Sequence, residues 1–156
     1  LLARARRRRK PAQLDRPGVP RSGRALTVRV LALDYGSARC GCALSDPTGT
    51  IVTPIDPVLR PGSRAGMAAL LALIAEREAD RVLVGLPLSL RGEDTEQTRE
   101  TRAFATKLAL RLGQSVPVEL YDERFTTRIA AQSAGTASED SRAAAVLLED
   151  WLARKA

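Results

Sequence analysis

Histidine is absent from the 156 residues, which excludes Ser-His triads, histidine-based RNA cleavage and the usual zinc-hydrolase ligand sets. Hydrolysis here must run on carboxylates, hydroxyls or bound metal. Three acids stand where such chemistry would place them. Asp34 ends the apolar run Leu26 to Leu33, at the point where a strand leaves the sheet and open α/β sheets put ligand groups. Taken alone, it reads more simply as a turn cap before Gly36. Glu123, in Asp122-Glu123-Arg124, follows a second strand-like segment. Asp140 is more informative. At about 100° per residue it falls within about 40° of Ala144, Leu147 and Trp151, so it is expected on the core side of the last helix. A carboxylate there must be neutralised, paired or metal-bound. The competing role, helix entry at Thr136-x-x-Glu139, can be filled by Thr136 or Ser138. Three converging carboxylates without histidine suit hard ions, Mg²⁺ or Mn²⁺. They repel one another without cations, whereas two bound ions can activate water and stabilise the leaving oxygen of a phosphodiester.

The elements that must position these acids follow from periodicity. Leu26 to Leu33 reads as a buried central strand. Arg39 to Leu44 and Thr50 to Val58, separated by Asp46-Pro47-Thr48-Gly49, complete an antiparallel meander, and Pro54 and Pro57 place its third strand at an edge. Met67, Leu70, Leu71 and Ile74 recur with helical spacing, giving a helix over about 64–79. Val82 to Pro87 is the next strand. A second helix spans about 93–112, with Glu93, Asp94 and Glu96 at its positive end and Gly113 at its stop. Val116 to Tyr121 is a fifth strand, Thr126 to Ser133 a short helix, and a last helix runs over about 137–154. This order is that of an α/β domain, a five-stranded mixed sheet flanked by helices.

The net charge of +7 suggests a polyanion binder, but residues 1–25 hold nine Lys/Arg and one acid, leaving 16 basic and 17 acidic groups in residues 26–156. The basicity belongs to a Pro/Gly-rich extension, 1–25, expected to be disordered; it can grip phosphates, though the plainer reading is a little-used extension. Leu1 hints at an incomplete start or a mis-set frame. Residues 26–156 form the single expected domain. No apolar stretch suits a signal or a membrane span, so a soluble cytoplasmic protein is expected. Cys40 and Cys42, two apart on one strand face, read as small core residues rather than a disulfide or zinc site.

Val30-Leu-Ala-Leu-Asp34-Tyr-Gly36, Val84-Gly-Leu-Pro-Leu88, Asp122-Glu-Arg-Phe-Thr-Thr127 and Asp140-Ser-Arg-Ala-Ala-Ala-Val-Leu-Leu148 resemble, in order, the motifs of the YqgF (RuvX) family. The resemblance covers about residues 28 to 153. It implies an RNase H-like fold related to Holliday-junction resolvases, and a bacterial nuclease that trims the 5′ end of pre-16S ribosomal RNA. By matching motifs, Asp34, Glu123 and Asp140 are the implied metal-binding catalytic acids. Substrate contacts are expected at Gly36, Gly85, Arg91, Arg124 and Thr127, with Gly85 allowing close backbone approach and the arginines phosphate contacts. Gly85-Leu86-Pro87 reads equally well as a tight strand exit, and Thr126 and Thr127 as a helix start. Arg128 to Glu139 is shorter than the family's usual segment and has no basic run. The expected partner is pre-16S rRNA or branched DNA, with no membrane, and the protein is expected to be a monomer or weak homodimer.

Three other readings compete. Asp34-Tyr-Gly36-Ser37 looks like the first phosphate loop of the actin and sugar-kinase superfamily, but no second Asp-x-Gly or other phosphate loop accompanies it. A non-catalytic RNA-binding module gains nothing from clustered acids. A four-way-junction resolvase would apply the same chemistry to DNA and usually works as a dimer. With two Phe, two Tyr and one Trp, the chain has no aromatic platform for stacking bases, which favours recognition of shape and phosphates.

Overall fold

A computed structural model describes residues 28–124 and 138–155. The expected helix over 126–133, Thr127, the Thr136 capping alternative and the basic extension lie outside the described residues. Five strands form one sheet: β1 (Val30–Asp34), β2 (Arg39–Ser45), β3 (Val52–Leu59), β4 (Arg81–Leu86) and β5 (Val118–Asp122), in the order β3-β2-β1-β4-β5. The first three are antiparallel, while β4 pairs in parallel with β1 and with β5. β1 is central because its apolar residues have no polar face to turn to water: Val30 to Leu33 are all buried. β3 takes the edge, as Pro54 and Pro57 require. The β2–β3 turn is tied by Asp46, whose Oδ1 accepts from the amides of Thr50 and Ile51, both at 2.8 Å.

Alternation along the strands sorts the core into two layers. Leu31, Leu33, Cys40, Cys42, Val82 and Val84 face α1 (Arg64–Glu76) and α2 (Glu96–Leu112), meeting Met67, Leu70, Ile74, Phe104 and Leu108. Both cysteines are free and buried there, as expected of small core residues. Val30, Ala32, Ala43 and Leu83 face α3 (Glu139–Lys155), meeting Ala144, Leu147, Leu148 and Trp151. Asp34 and Gly41 continue the α3-facing series by parity.

Helix ends differ from the periodicity reading where capping chemistry overrides it. α1 stops at Glu76, three residues short, because the chain reverses through Glu78 at φ 52°. α2 begins at Glu96 rather than 93. Thr95 and Thr98 form a reciprocal capping box there, and the buried Thr98 hydroxyl also donates to the Pro87 carbonyl. Glu93 and Asp94 therefore belong to the preceding loop, where the Glu93 amide donates to Ser89 Oγ at 3.0 Å.

The seat of α3 is specific. Between Cys40 and Cys42 the β2–β3 register shifts, because β3 carries one extra residue, a bulge opposite Gly41. Ser141, fully buried in the first turn of α3, fills the irregularity: its hydroxyl donates to the Ile55 carbonyl and accepts from the Cys42 amide at 3.4 Å. Ser141→Ala removes both bonds at nearly constant volume and leaves a buried carbonyl and amide unsatisfied. It should destabilise the protein by about 1–3 kcal/mol, measured as a lowered urea midpoint at unchanged slope.

Candidate active site

Three strands present Gly41, Asp34 and Gly85 side by side on the α3 face. Asp34 pairs with Gly41 on β2, and Leu33 pairs with Val84 on β4, so Asp34 and Gly85 are the next pair along. Each glycine is a gap that one of the other two acids covers. A Cβ on Gly41 would lie 2.0 Å from the Asp140 carbonyl oxygen and 2.8 Å from the Ser141 amide nitrogen. A Cβ on Gly85 would lie 2.5 Å from Glu123 Oε2 and 3.0 Å from Leu147 Cδ2. Strand glycines thus let α3 and the end of β5 close in on either side of Asp34.

The electrostatics agree with this geometry. Burial first, and then the charge of Asp140, pushes the Asp34 carboxyl up to about 6. Glu123 is pushed up to about 7, first by burial, then by the charges of Asp34 and Asp122. Asp34 is therefore the middle member of the trio.

Asp140 sits differently from its expectation. It occupies the margin of the α3 interface, with its side chain 42% exposed, and Arg39 Nε lies 3.6 Å from its Oδ2. The buried residue of that turn is Ser141. The physical reason is that the first turn of α3 reaches beyond the helix's apolar stripe to the sheet margin, where a carboxylate can meet solvent. The entry role belongs to Ser138, whose hydroxyl accepts from the Ser141 amide at 3.2 Å, so Asp140 is not consumed as a cap.

The other expected site residues divide. Gly36 shapes the β1–β2 turn, where a Cβ would lie 2.7 Å from the Arg39 carbonyl oxygen. Arg91 is exposed in the β4–α2 loop. Arg124 is engaged within the protein. Its Nε and Nη2 reach Asp122 Oδ2 at 2.8 and 2.6 Å, and Nη1 donates to the Leu90 carbonyl at 3.5 Å. These bonds hold the Asp122 carboxyl below its usual range. The guanidinium also covers Gly92, whose φ of 80° favours glycine and where a Cβ would meet Nη1 at 2.9 Å and push it aside. Arg124 thus ties the β4–α2 loop to the end of β5, beside Glu123. Sequence reasoning missed Gly41, Ser141 and Arg39. Of these only Gly41, a glycine inside an apolar strand, carried a local signal.

Among the described residues no three or more Asp, Glu, His or Cys already stand as a closed metal-ligand set. The donor chemistry nonetheless fits a hard divalent ion: carboxylates alone, two of them half-buried, each raised by a neighbouring acid.

A family model described as RuvX: Holliday junction resolvase matches residues 28–154. The chain belongs to the RuvX family. It is a nuclease by class, a hydrolase of phosphodiester bonds. A Rhodococcus erythropolis protein named as a pre-16S rRNA nuclease is 39% identical over 151 residues, covering 88% of this chain and 83% of the relative. Another of that name from Maridesulfovibrio salexigens is 37% identical over 136 residues, covering 81% and 99%. In structure, Thermus thermophilus RuvC matches with a TM-score of 0.54 at 16% identity, over 82% of this chain and 96% of RuvC, and so does RuvC bound to a Holliday junction substrate, over 95% of that chain. These matches establish the RNase H-like fold.

Because folding raises both carboxyls from ordinary values of 3.8 and 4.5 to about 6 and about 7, the folded state holds protons that the unfolded chain releases above pH about 4. Stability without cations should therefore fall, by a few kcal/mol, as pH rises from about 4 to about 7, and then level off. Thermal melts in EDTA across this range check it, and Glu123→Gln should flatten the decline. Gly85→Ala should displace the Glu123 carboxylate and lower cleavage at least about tenfold, while a steady-state assay and a melt together show a Tm loss of only a few degrees.

Proposed function

We propose that this chain is a divalent-metal-dependent nuclease that hydrolyses phosphodiester bonds at the 5′ end of pre-16S ribosomal RNA in the cytoplasm. Asp34, Glu123 and Asp140 are its metal-holding acids. The observation that carries the reading is the arrangement of Asp34 between two glycine gaps, one covered by Glu123 and the other by Asp140. Burying like charges together is costly unless a cation compensates. No membrane enters the reading; no helix among the described residues is long and apolar enough to cross one.

When bound, Mg²⁺ or Mn²⁺ would supply an activated water and charge stabilisation at the leaving oxygen. The protein's own part is positional. β1 fixes Asp34 rigidly, because both of its neighbouring strands are hydrogen-bonded to it. Ser141 and the missing Cβ of Gly41 set the height of Asp140, while Gly85 sets that of Glu123. Arg124, through Asp122 and Leu90, holds the loop that carries Arg91 next to the acids. Arg91 and the backbone near Gly36 and Gly85 are the proposed substrate contacts, with Thr127.

The same centre would serve a four-way DNA junction, the substrate class named in the family's description. The two are separated by incubating the protein with a labelled, 5′-extended 16S precursor and a four-way junction in Mg²⁺, Mn²⁺ or EDTA. Metal-dependent cutting of the RNA is expected. Preferential cutting of the junction would make the protein a resolvase, and tight binding without cutting in any metal would make it a binding module. Asp34→Asn, Glu123→Gln and Asp140→Asn should each remain folded yet lower cleavage more than about 100-fold, beyond the loss of an outer-shell partner. Activity near wild type in any one removes that residue from the centre.

A further inference from the structure

We propose that Arg39 grips a backbone phosphate of the nucleic acid beside the reacting one, an inference that rests on the nuclease reading above. A cleft of about 390 Å³ opens between the β1–β2 turn and α2, its walls including Tyr35, Gly36, Ser37, Arg39, Glu100 and Asp140. That volume lies within the ~300–1,000 Å³ of small-ligand pockets. Arg39 begins β2 two residues before Gly41, so it shares the face that carries Asp34 and Asp140. It lines the cleft and pairs with one acid of the trio, Asp140, at once.

Its present partner holds it loosely. The contact to Asp140 is at 3.6 Å and the Arg39 side chain is 62% exposed. Charge-assisted hydrogen bonds run at about 2.7–2.9 Å, and exposed ion pairs contribute little. Exchanging Asp140 for a phosphate therefore costs little. Arg124, by contrast, is forked onto Asp122 at 2.6–2.8 Å. A phosphate approaching three carboxylates needs a compensating cation, and the guanidinium fork matches phosphate oxygens in geometry. Glu100, on the wall formed by α2, repels an anion, which leaves Arg39 as the phosphate side of the cleft.

The test measures binding of the labelled 16S precursor in EDTA, where nothing is cut, across a salt titration. It compares wild type, Arg39→Gln and Arg39→Lys, each checked for an unchanged melt. Arg39→Gln should bind about tenfold more weakly, the size of one charge-assisted hydrogen bond. Its dependence of log affinity on log salt should be shallower by about 0.7–0.9, the signature of one lost phosphate contact. Arg39→Lys should recover the salt slope but only part of the affinity, since it restores the charge and not the fork. An unchanged slope in Arg39→Gln overturns the proposal, and a raised Mg²⁺ requirement with that unchanged slope would make Arg39 only the partner of Asp140. Failure of the wild type to bind either the precursor or a four-way junction would instead overturn the nuclease reading, and the role of Arg39 with it.

Discussion

The structure depends on one electrostatic conflict: the folded chain half-buries Asp34 at the end of its central strand and then brings Asp140 and Glu123 to either side of it. Like charges in a partly dry site oppose folding, and the molecule accommodates them in two ways. Protons remain on Asp34 and Glu123 well above the usual carboxylate range. Asp140 stays at the rim, where solvent and Arg39 screen it. A divalent cation would replace both devices with one interaction, and on the proposed reading the cost of the cluster is the cost of a cation site rather than a defect of packing.

Sheet and helix are fitted to this conflict at a few backbone atoms. Gly41 and Gly85 are the places where a side chain would keep the acids apart. The β3 bulge opposite Gly41 is not a weakness of the sheet, because Ser141 satisfies the Ile55 carbonyl and the Cys42 amide that face it. The same few bonds therefore dock the last helix and set the position of Asp140. On the other side, Arg124, Asp122 and Gly92 join the β4–α2 loop to β5, and the Thr95–Thr98 box with the Pro87 carbonyl anchors that loop at its helical end. Stability and site geometry share residues here, so second-site changes should rarely affect one alone.

Much of this was legible in the chain. The all-apolar β1, the turn at Asp46 to Gly49 and the prolines of β3 specify a central strand, a meander and an edge, because these features follow from local burial and backbone chemistry. The three acids were legible as strand-end and helix-face carboxylates, and the family motifs singled them out. What escaped was non-local. Ser141 and the Cys42 amide are 99 residues apart, and nothing in either neighbourhood announces the other. Asp140 was placed too deep, since an angular argument on a helix does not say where the sheet beneath it ends. Arg124 was legible as a phosphate contact, while its fork onto Asp122, two residues earlier, was not. α2 began late because a threonine capping box outcompeted acids that merely favoured the helix dipole.

The most direct test of the cation-binding centre is calorimetric titration of Mg²⁺ into the metal-free protein at pH about 6.5, in buffers of differing ionisation enthalpy. With Asp34 at about 6 and Glu123 at about 7, binding should release about one proton in total, and Glu123→Gln should remove most of that release. Binding without proton release, or no binding at millimolar Mg²⁺ and Mn²⁺, would contradict the account.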